Sequence, residues 1–313
     1  MIPQQNIKLG IILSLITALM WGLLPVSIAP VIGPVDPVTI TFYRLGGGGT
    51  LLLLWILAKK GTQVRATFNI KTMPYLFLAV LCIAANYYLW LIGLQHTSPS
   101  TAQIMIQMAP MLLLVGSVLL FKESFSKKQF LGLIVFVTGL LLFFNERLFE
   151  IFKQMSGYNL GLLYLTFSAI TWAIYGLAQK RLLRDFGALE LIFVITILAC
   201  MVFLPFASPE QAYHLGTLEL SLLFFGGINT AVAYGCFTAA MHYWETPRVS
   251  AVVAIVPVLT LATAYLQQTF WPDLLPPEPI NNLSILGALV VVVGSSIAAL
   301  SKAPSKVNSA LIE

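Results

Sequence analysis

The residue with the most informative chemistry in this sequence is an arginine inside an apolar stretch. Arg44 lies seven residues after Pro37, within a run of mostly apolar residues. In hydrocarbon an ionisable side chain is costly, so it needs a partner or a function. A guanidinium at this position suits bidentate binding of a carboxylate. The alternative is a structural role, in which Arg44 snorkels to the interface or pairs with Asp36 or with backbone carbonyls.

Uncharged polar and aromatic side chains recur at helical spacing in other apolar stretches. Gln103 and Gln107 lie one helical turn apart, and amides that face lipid are costly, so we expect both to face a cavity or another helix. Packing or an interfacial aromatic belt is the alternative for any single aromatic residue. The candidate substrate-binding residues are Trp21, Tyr43, Arg44, Asn86, Tyr87, Gln103, Gln107, Trp172, Tyr175 and Tyr234.

Acidic residues are missing from the centres of the apolar stretches. Glu123, Glu190 and Glu245 lie near one set of ends, and Asp36 lies near the other. A proton-coupled exchanger usually needs a buried titratable group, so the pattern favours facilitated diffusion over proton antiport. The sequence also lacks an H-E-x-x-H motif, a catalytic aspartate pair and a Ser/His/Asp set. We therefore expect no enzymatic activity, no metal site and no cofactor.

Composition indicates which elements hold these residues. The 313 residues are 58% hydrophobic and 9% charged, about a third of the charge that soluble globular proteins carry. A water-soluble domain is thereby excluded, and a polytopic membrane protein in contact with the lipid bilayer is predicted. The net charge of +5 is interpreted as basic residues in cytoplasmic loops and not as a nucleic-acid site.

Apolar runs of about twenty residues predict an all-α membrane protein with ten transmembrane helices. Four glycines in the second run, Gly46 to Gly49, predict close contact with another helix, with a gating hinge as the alternative. The connections are short, so neighbouring spans are antiparallel. The predicted spans are 10–32, 38–58, 74–94, 101–121, 129–145, 158–178, 188–206, 217–240, 248–270 and 283–301.

The basic residues predict the orientation of these spans. Fourteen of the 17 lie on the side of both termini, only Arg147 and Lys153 lie on the opposite side, and Arg44 lies within a span. Basic residues concentrate in cytoplasmic loops, so both termini are predicted to be cytoplasmic.

The two halves of the chain superimpose in three registers, which predicts an internal repeat. Shifts of 151, 147 and 155 residues pair Gly10 with Gly161, Trp21 with Trp172, Tyr87 with Tyr234, Pro110 with Pro257, Gly132 with Gly287 and Gly139 with Gly294. The last change of register falls at a proline-rich insertion, WPDLLPPEP, residues 271–279. Each half has five spans, an odd number, so the halves are predicted to be inverted five-helix repeats, as in many secondary transporters. Chance coincidence of common residues is the alternative.

The repeat predicts the division of the chain. The first five-helix repeat covers 1–147, an outer interfacial linker covers 148–157, the second repeat covers 158–302, and a cytoplasmic tail covers 303–313. The linker is predicted from an amphipathic pattern in NERLFEIFKQM, residues 145–155, with a frayed helix end as the alternative.

Several motifs resemble the EamA family of the drug/metabolite transporter superfamily. They are ALMWG at 18–22, YRL at 43–45, GLQHTSPSTAQIMIQMAP at 93–110, FKESFS at 121–126, ITWAIY at 170–175, Ala233 with Tyr234, and VSAVVAIVPV at 249–258. The glutamate that the family places after the ninth span is missing, and Gln267, Gln268 and Thr269 stand there.

The resemblance implies ten spans in two inverted repeats and a secondary transporter of the bacterial inner membrane. The expected substrate is a small molecule, an amino acid or a related metabolite, moved outward by alternating access. Efflux of drugs or toxic metabolites by proton antiport and a membrane sensor that does not transport remain the alternatives. The exact substrate, the coupling ion and the oligomeric state stay open.

Overall fold

A computed structural model describes residues 6–58, 70–121, 126–147 and 156–301, and these residues form a helical bundle. Most of the predicted interfacial linker and the predicted tail lie outside the described residues. The α-helices of the described part are α1 Ile7–Ile28, α2 Pro37–Ala58, α3 Met73–His96, α4 Pro99–Ile106, α5 Met108–Phe121, α6 Lys127–Phe143, α7 Gly157–Leu182, α8 Ala188–Phe203, α9 Thr217–Tyr243, α10 Thr246–Val253, α11 Val256–Phe270 and α12 Asn282–Leu300. Short 3-10 helices cover Ala29–Val31 and Pro209–His214.

Each of the ten predicted spans coincides with helical structure, but two of them are not single helices. The fourth is divided into α4 and α5, and the ninth is divided into α10 and α11. Proline lacks a backbone donor and clashes with the carbonyl four residues earlier. Counting back four residues from Pro110 and Pro257 gives Ile106 and Val253, where α4 and α10 end. The two helix breaks therefore follow from the two prolines.

Eight segments of the described chain are long and apolar enough to cross a membrane. Helices α6 and α8 have 17 and 16 residues, fewer than the roughly twenty that span a bilayer. The protein is thus a multi-pass membrane protein whose described residues are helical, and eight crossings among them meet the length criterion, compared with the ten predicted.

The bundle has two ends, which the loops define. The proline-rich end carries the loops at residues 29–36, 97–98, 144–147, 204–216 and 271–281. The opposite end, termed the N-terminal end, carries the start of α1 and the turns at 183–187 and 244–245. Residues 271–281 are termed the proline-rich loop.

Glycines allow α6 and α12 to pack backbone against backbone. A Cβ atom on Gly139 would lie 2.9 Å from the carbonyl oxygen of Gly287, and one on Gly132 would lie 2.9 Å from that of Gly294. Real Cβ atoms do not approach other atoms so closely, so these positions require glycine. Small residues have the same function at helix crossings in many membrane proteins.

The four-glycine cluster of α2 also lies at a helix contact. A Cβ atom on Gly47 would lie 3.4 Å from the Cα atom of Gly227 in α9, and one on Gly46 would lie 3.3 Å from Sγ of Cys200 in α8. The close-contact interpretation of the cluster is confirmed by these distances.

Contacts between the two halves occur in pairs that the sequence registers relate. Asn86 Nδ2 donates to the backbone oxygen of Ser168 at 2.9 Å, and Thr17 Oγ1 donates to the backbone oxygen of Ala233 at 3.3 Å. Ser168 follows Thr17 by 151 residues, and Ala233 follows Asn86 by 147. Helix α3 therefore contacts α7 as α1 contacts α9.

Candidate functional site

Helix α2 carries Arg44, and Asp36 starts that helix. The carboxylate of Asp36 accepts hydrogen bonds from the backbone N–H groups of Val38 and Thr39 at 2.8 and 3.0 Å and from the Thr39 hydroxyl at 2.7 Å. An acidic side chain is favourable at a helix N-terminus, where N–H groups are unpaired. Asp36 is thus used as a helix cap, and the predicted alternative of an Asp36–Arg44 pair is wrong.

The Arg44 side chain is 4% exposed and lies beside two aromatic rings. Its Cζ atom is 4.6 Å from the centroid of the Tyr87 ring and 5.7 Å from that of the Trp90 ring. Nε and Nη1 are buried without a hydrogen-bond partner in the described part of the chain. An unsatisfied buried donor costs about 1–3 kcal/mol. Two donors held in this state are available to an acceptor that enters the site.

The aromatic residues that interact with Arg44 belong to a larger group with members on α1, α3, α7 and α9. The Tyr234 side chain interacts with Tyr87 and Trp172. The Trp21 ring lies 5.4 Å from that of Tyr234, and the Trp172 ring lies 6.4 Å from that of Tyr175. Six of the predicted binding residues thus form one group, termed the Arg44 cluster: Trp21, Arg44, Tyr87, Trp172, Tyr175 and Tyr234.

The other four predicted binding residues lie outside this cluster. Tyr43 donates from its hydroxyl to the backbone oxygen of Pro209 at 2.9 Å, at the proline-rich end. Asn86 binds Ser168, and Gln107 Nε2 donates to the backbone oxygen of Ala254 at 3.3 Å. Gln103 is buried on α4. Asn86 and Gln107 face other helices, one of the two environments predicted for buried amides.

Trp90 belongs to the site although it is not among the predicted binding residues. It is 7% exposed and is the second ring beside the Arg44 guanidinium. Its spacing of three residues from Tyr87 places both rings on one face of α3. The spacing was visible in the sequence. The packing of α2 against α3, which brings Trp90 to Arg44, was not.

We expect Asn86→Ala to lower stability while leaving the Arg44 cluster intact. The variant loses the two hydrogen bonds from Asn86 Nδ2 to Ser168, and interhelical bonds of this kind contribute about 1 kcal/mol in membranes. Thermal unfolding in detergent measures the effect, with Gln268→Ala, an exposed amide, as the control. Equal melting temperatures for the two variants would contradict the prediction.

A cavity of about 700 Å³ opens at the proline-rich end. Its walls are the turn that follows α1, the end of α3, one face of α11, part of the first half of α12 and residues 275–280 of the proline-rich loop. Leu94 lines it and lies one helical turn after Trp90 on α3. The cavity thus ends about one helical turn from Trp90, the second ring beside the Arg44 guanidinium.

The proline-rich loop is attached to α4 through Glu278. Its carboxylate accepts hydrogen bonds from Ser98 Oγ at 2.8 Å and from the backbone N–H of Ser100 at 3.3 Å. Burial raises the pKa of the Glu278 carboxyl, although the hydrogen bonds from Ser100 and Ser98 and the nearby charge of Arg147 act in the opposite direction. The Arg147 guanidinium in turn lies 4.0 Å from the centroid of the Tyr158 ring.

No group of three or more His, Cys, Asp or Glu side chains within the described ranges is placed to hold a metal ion. Among the described residues, Arg147 and Glu278 line the cavity, and Glu146 lines the small space beside it. Within the described chain, the chemistry available for binding is therefore that of an arginine, aromatic rings, amides and these peripheral charges.

The family model described as the EamA-like transporter family matches residues 8–145 and 159–300. An uncharacterized inner membrane transporter of Escherichia coli (strain K12), YhbE, is 33% identical over 95% of this chain and 93% of its own length. An uncharacterized transporter of Haemophilus influenzae is 32% identical over 95% of this chain and 96% of its own.

Two more distant similarities add context. A probable amino-acid metabolite efflux pump of Salmonella typhimurium is 24% identical over 62% of this chain and 64% of its own length. One crystal structure superimposes with a TM-score of 0.64 over 92% of this chain and 96% of its own, at 17% identity. That likeness concerns the fold alone.

Proposed function

Because this chain belongs to the EamA-like transporter family, we propose that it carries small metabolites with a carboxylate, amino acids or related compounds, across the bacterial inner membrane. It is a multi-pass membrane protein of the transporter kind. The observation that carries the substrate proposal is the buried Arg44 guanidinium, whose Nε and Nη1 have no partner in the described residues.

The chemistry of the Arg44 cluster supports a substrate with two parts. A carboxylate fits the planar fork of a guanidinium in a bidentate pair. The rings of Tyr87, Trp172 and Tyr234 offer flat apolar surface with hydroxyl or indole N–H groups at the edge. The Salmonella typhimurium relative is named a probable amino-acid metabolite efflux pump, and that name supports the same class and an outward direction.

Alternating access in this proposal uses two inverted five-helix repeats. The paired contacts support them, because two related elements that each contact the other's counterpart produce reciprocal pairs. Gly132 contacts Gly294 while Gly139 contacts Gly287, and a shift of 155 residues places Gly132 on Gly287 and Gly139 on Gly294. The family model also matches two stretches of the chain, one in each proposed repeat.

In the proposed orientation both termini are cytoplasmic and the proline-rich end faces outward. The distribution of basic residues supports it, with fourteen of 17 on the side of the termini. Cysteine labelling of intact cells with an impermeant reagent tests it. A cysteine at the exposed Asp273 should react from outside, and one at the exposed Arg248 should not.

Uptake into proteoliposomes tests the substrate proposal. A panel of labelled amino acids is offered to vesicles with the protein and to empty vesicles, with and without a pH gradient. Flux for at least one carboxylate-bearing compound, insensitive to the gradient, supports a facilitator. Flux that follows the gradient supports proton antiport, and drug resistance without amino-acid flux supports the efflux alternative. Binding without flux indicates a sensor. If no amino acid shows binding or flux, the amino-acid proposal is wrong.

A further inference from the structure

The proline-rich loop forms part of the wall of the cavity that ends one helical turn from Trp90, and the carboxylate of Glu278 attaches this part of the loop to α4. Residues 275–280 form part of the cavity wall. Within them, Glu278 binds Ser98 Oγ and the backbone N–H of Ser100. Both acceptors of the hydrogen bonds are on the loop and both donors are at the start of α4. These bonds connect the part of the loop that lines the cavity to the start of α4.

The loop also joins the halves of the chain through its last residue, Asn281. Asn281 Nδ2 donates to Asn145 Oδ1 at 3.0 Å and to Glu146 Oε1 at 2.7 Å, beyond the end of α6. These amide contacts fix the loop where it enters α12. Only Pro279 and Ile280 separate Glu278 from this fixed end of the loop.

We propose that the proline-rich loop is a gate over the cavity, that Glu278 is its latch on α4, and that the latch holds most firmly when Glu278 is protonated. This proposal rests on the proposed transport function. A substrate that moves between the Arg44 cluster and the proline-rich end would pass the cavity that the loop covers.

The direction of the pH effect follows from the position of the carboxyl. Burial against α4 raises the pKa of Glu278, whereas a released loop would expose the group and return it to its ordinary value. The latched state therefore binds the proton more tightly, so acid favours latching. The stabilisation of the latched state by the bound proton is complete below the ordinary pKa of a glutamate. This stabilisation is lost as the pH rises through the pKa of Glu278 in the latched state.

Other groups around Glu278 bear on the same equilibrium. Arg147, beyond the end of α6, favours the carboxylate, and Tyr158 of α7 shares this environment. Glu146 lines the small space beside Glu278. His96, at the end of α3, packs against Tyr164 at 6.2 Å between ring centroids. Variants must therefore separate Glu278 from its neighbours.

Labelling of a cysteine at Leu94 reports on the gate. Leu94 lines the cavity and is 3% exposed, so an impermeant thiol reagent reaches Leu94→Cys only when the path opens. Cys82, Cys200 and Cys236 are first replaced by alanine. The protein is placed in nanodiscs, where both ends are accessible, and rates are divided at each pH by those of Tyr213→Cys, an exposed reference in the loop before α9.

With Glu278 present, the normalised rate should rise as the pH increases through the mildly acidic range. Glu278→Gln keeps the acceptor oxygen and mimics the protonated acid, so labelling should be slow and independent of pH. Glu278→Ala removes the acceptors and should label about threefold faster or more at every pH. Asp273→Asn, which removes an exposed carboxylate from the same loop, should behave like the parent.

A normal pH response in Glu278→Gln, or parental labelling in Glu278→Ala, overturns the latch. If Asp273→Asn also loses the pH response, the response depends on the general charge of the loop, and the latch is overturned as well. The assay needs no substrate, so a failed latch is distinguishable from a failed transport proposal: transport without gating leaves the Arg44 proposal standing, and gating without transport leaves the latch standing.

Discussion

Replacing Arg44 with methionine is expected to abolish most uptake of the carboxylate substrate while leaving the protein as stable as before or more stable. Methionine preserves much of the apolar length of the side chain but removes the guanidinium. A charge-assisted hydrogen bond contributes about 1.5–3 kcal/mol, and each 1.4 kcal/mol is about tenfold in affinity. Substrate affinity should therefore fall about tenfold to a hundredfold, as measured by uptake kinetics in proteoliposomes.

The stability of the same variant distinguishes binding from structure. Arg44 keeps two buried donors without partners in the described residues, and removing such donors relieves a desolvation cost. The contact with the Tyr87 ring at 4.6 Å is lost as well, which offsets part of the gain. A purely structural arginine predicts the opposite result, in which Arg44→Met unfolds at a clearly lower temperature.

Two further variants complete the test of Arg44. Arg44→Lys keeps the charge but lacks the planar fork, so uptake should be intermediate. Arg248→Met removes an arginine that is half exposed and pairs with Glu245 at 3.0 Å, and uptake should not change. An amide analogue of the substrate should lose affinity for the parent protein but lose nothing further in Arg44→Met. Equal sensitivity of both compounds to the mutation would exclude a carboxylate–guanidinium pair.

Spacing in the sequence predicted the helices and a large part of the Arg44 cluster for a physical reason. Apolar runs of bilayer length have few structures available to them besides helices, because backbone groups in lipid must be satisfied internally. A charge such as Arg44 inside one run, and aromatic residues such as Trp21 and Trp172 at equivalent positions, were visible without knowledge of packing. The breaks at Pro110 and Pro257 were also readable from proline chemistry, although the spans were predicted as continuous.

Contacts between distant segments were not predictable in the same way. Whether Asp36 faces Arg44 or caps its own helix depends on side-chain direction, and both arrangements fit the sequence. Tyr43 stands next to Arg44 in the chain but points to the loop at Pro209, because neighbours on a helix project about 100° apart. Glu278 lies within the proline-rich insertion. Its attachment to Ser98 depends on the fold of both halves, so the sequence alone did not predict it.

Replacing Gly287 with alanine is expected to destabilise the bundle by more than the small size of a methyl group suggests. The new Cβ atom would meet the backbone nitrogen of Phe143 and lie 2.8 Å from the carbonyl oxygen of Gly139. Backbone atoms cannot rotate away as a flexible side chain can, so α6 and α12 must separate. Overpacking of this kind costs about 1–3 kcal/mol, and the melting temperature in detergent should fall accordingly.

Gly139→Ala and Gly157→Ala provide the matched comparisons. Gly139 meets Gly287 from the facing helix, so Gly139→Ala should be destabilising by a similar amount. The double variant should cost less than the sum, because a separation forced by one methyl group accommodates the other. A Cβ atom on Gly157 would meet nothing within 4 Å, so Gly157→Ala should leave the melting temperature unchanged or raise it slightly. If Gly287→Ala and Gly157→Ala unfold together, α6 and α12 do not cross in close backbone contact, and the reciprocal glycine pairs lose their support for inverted repeats.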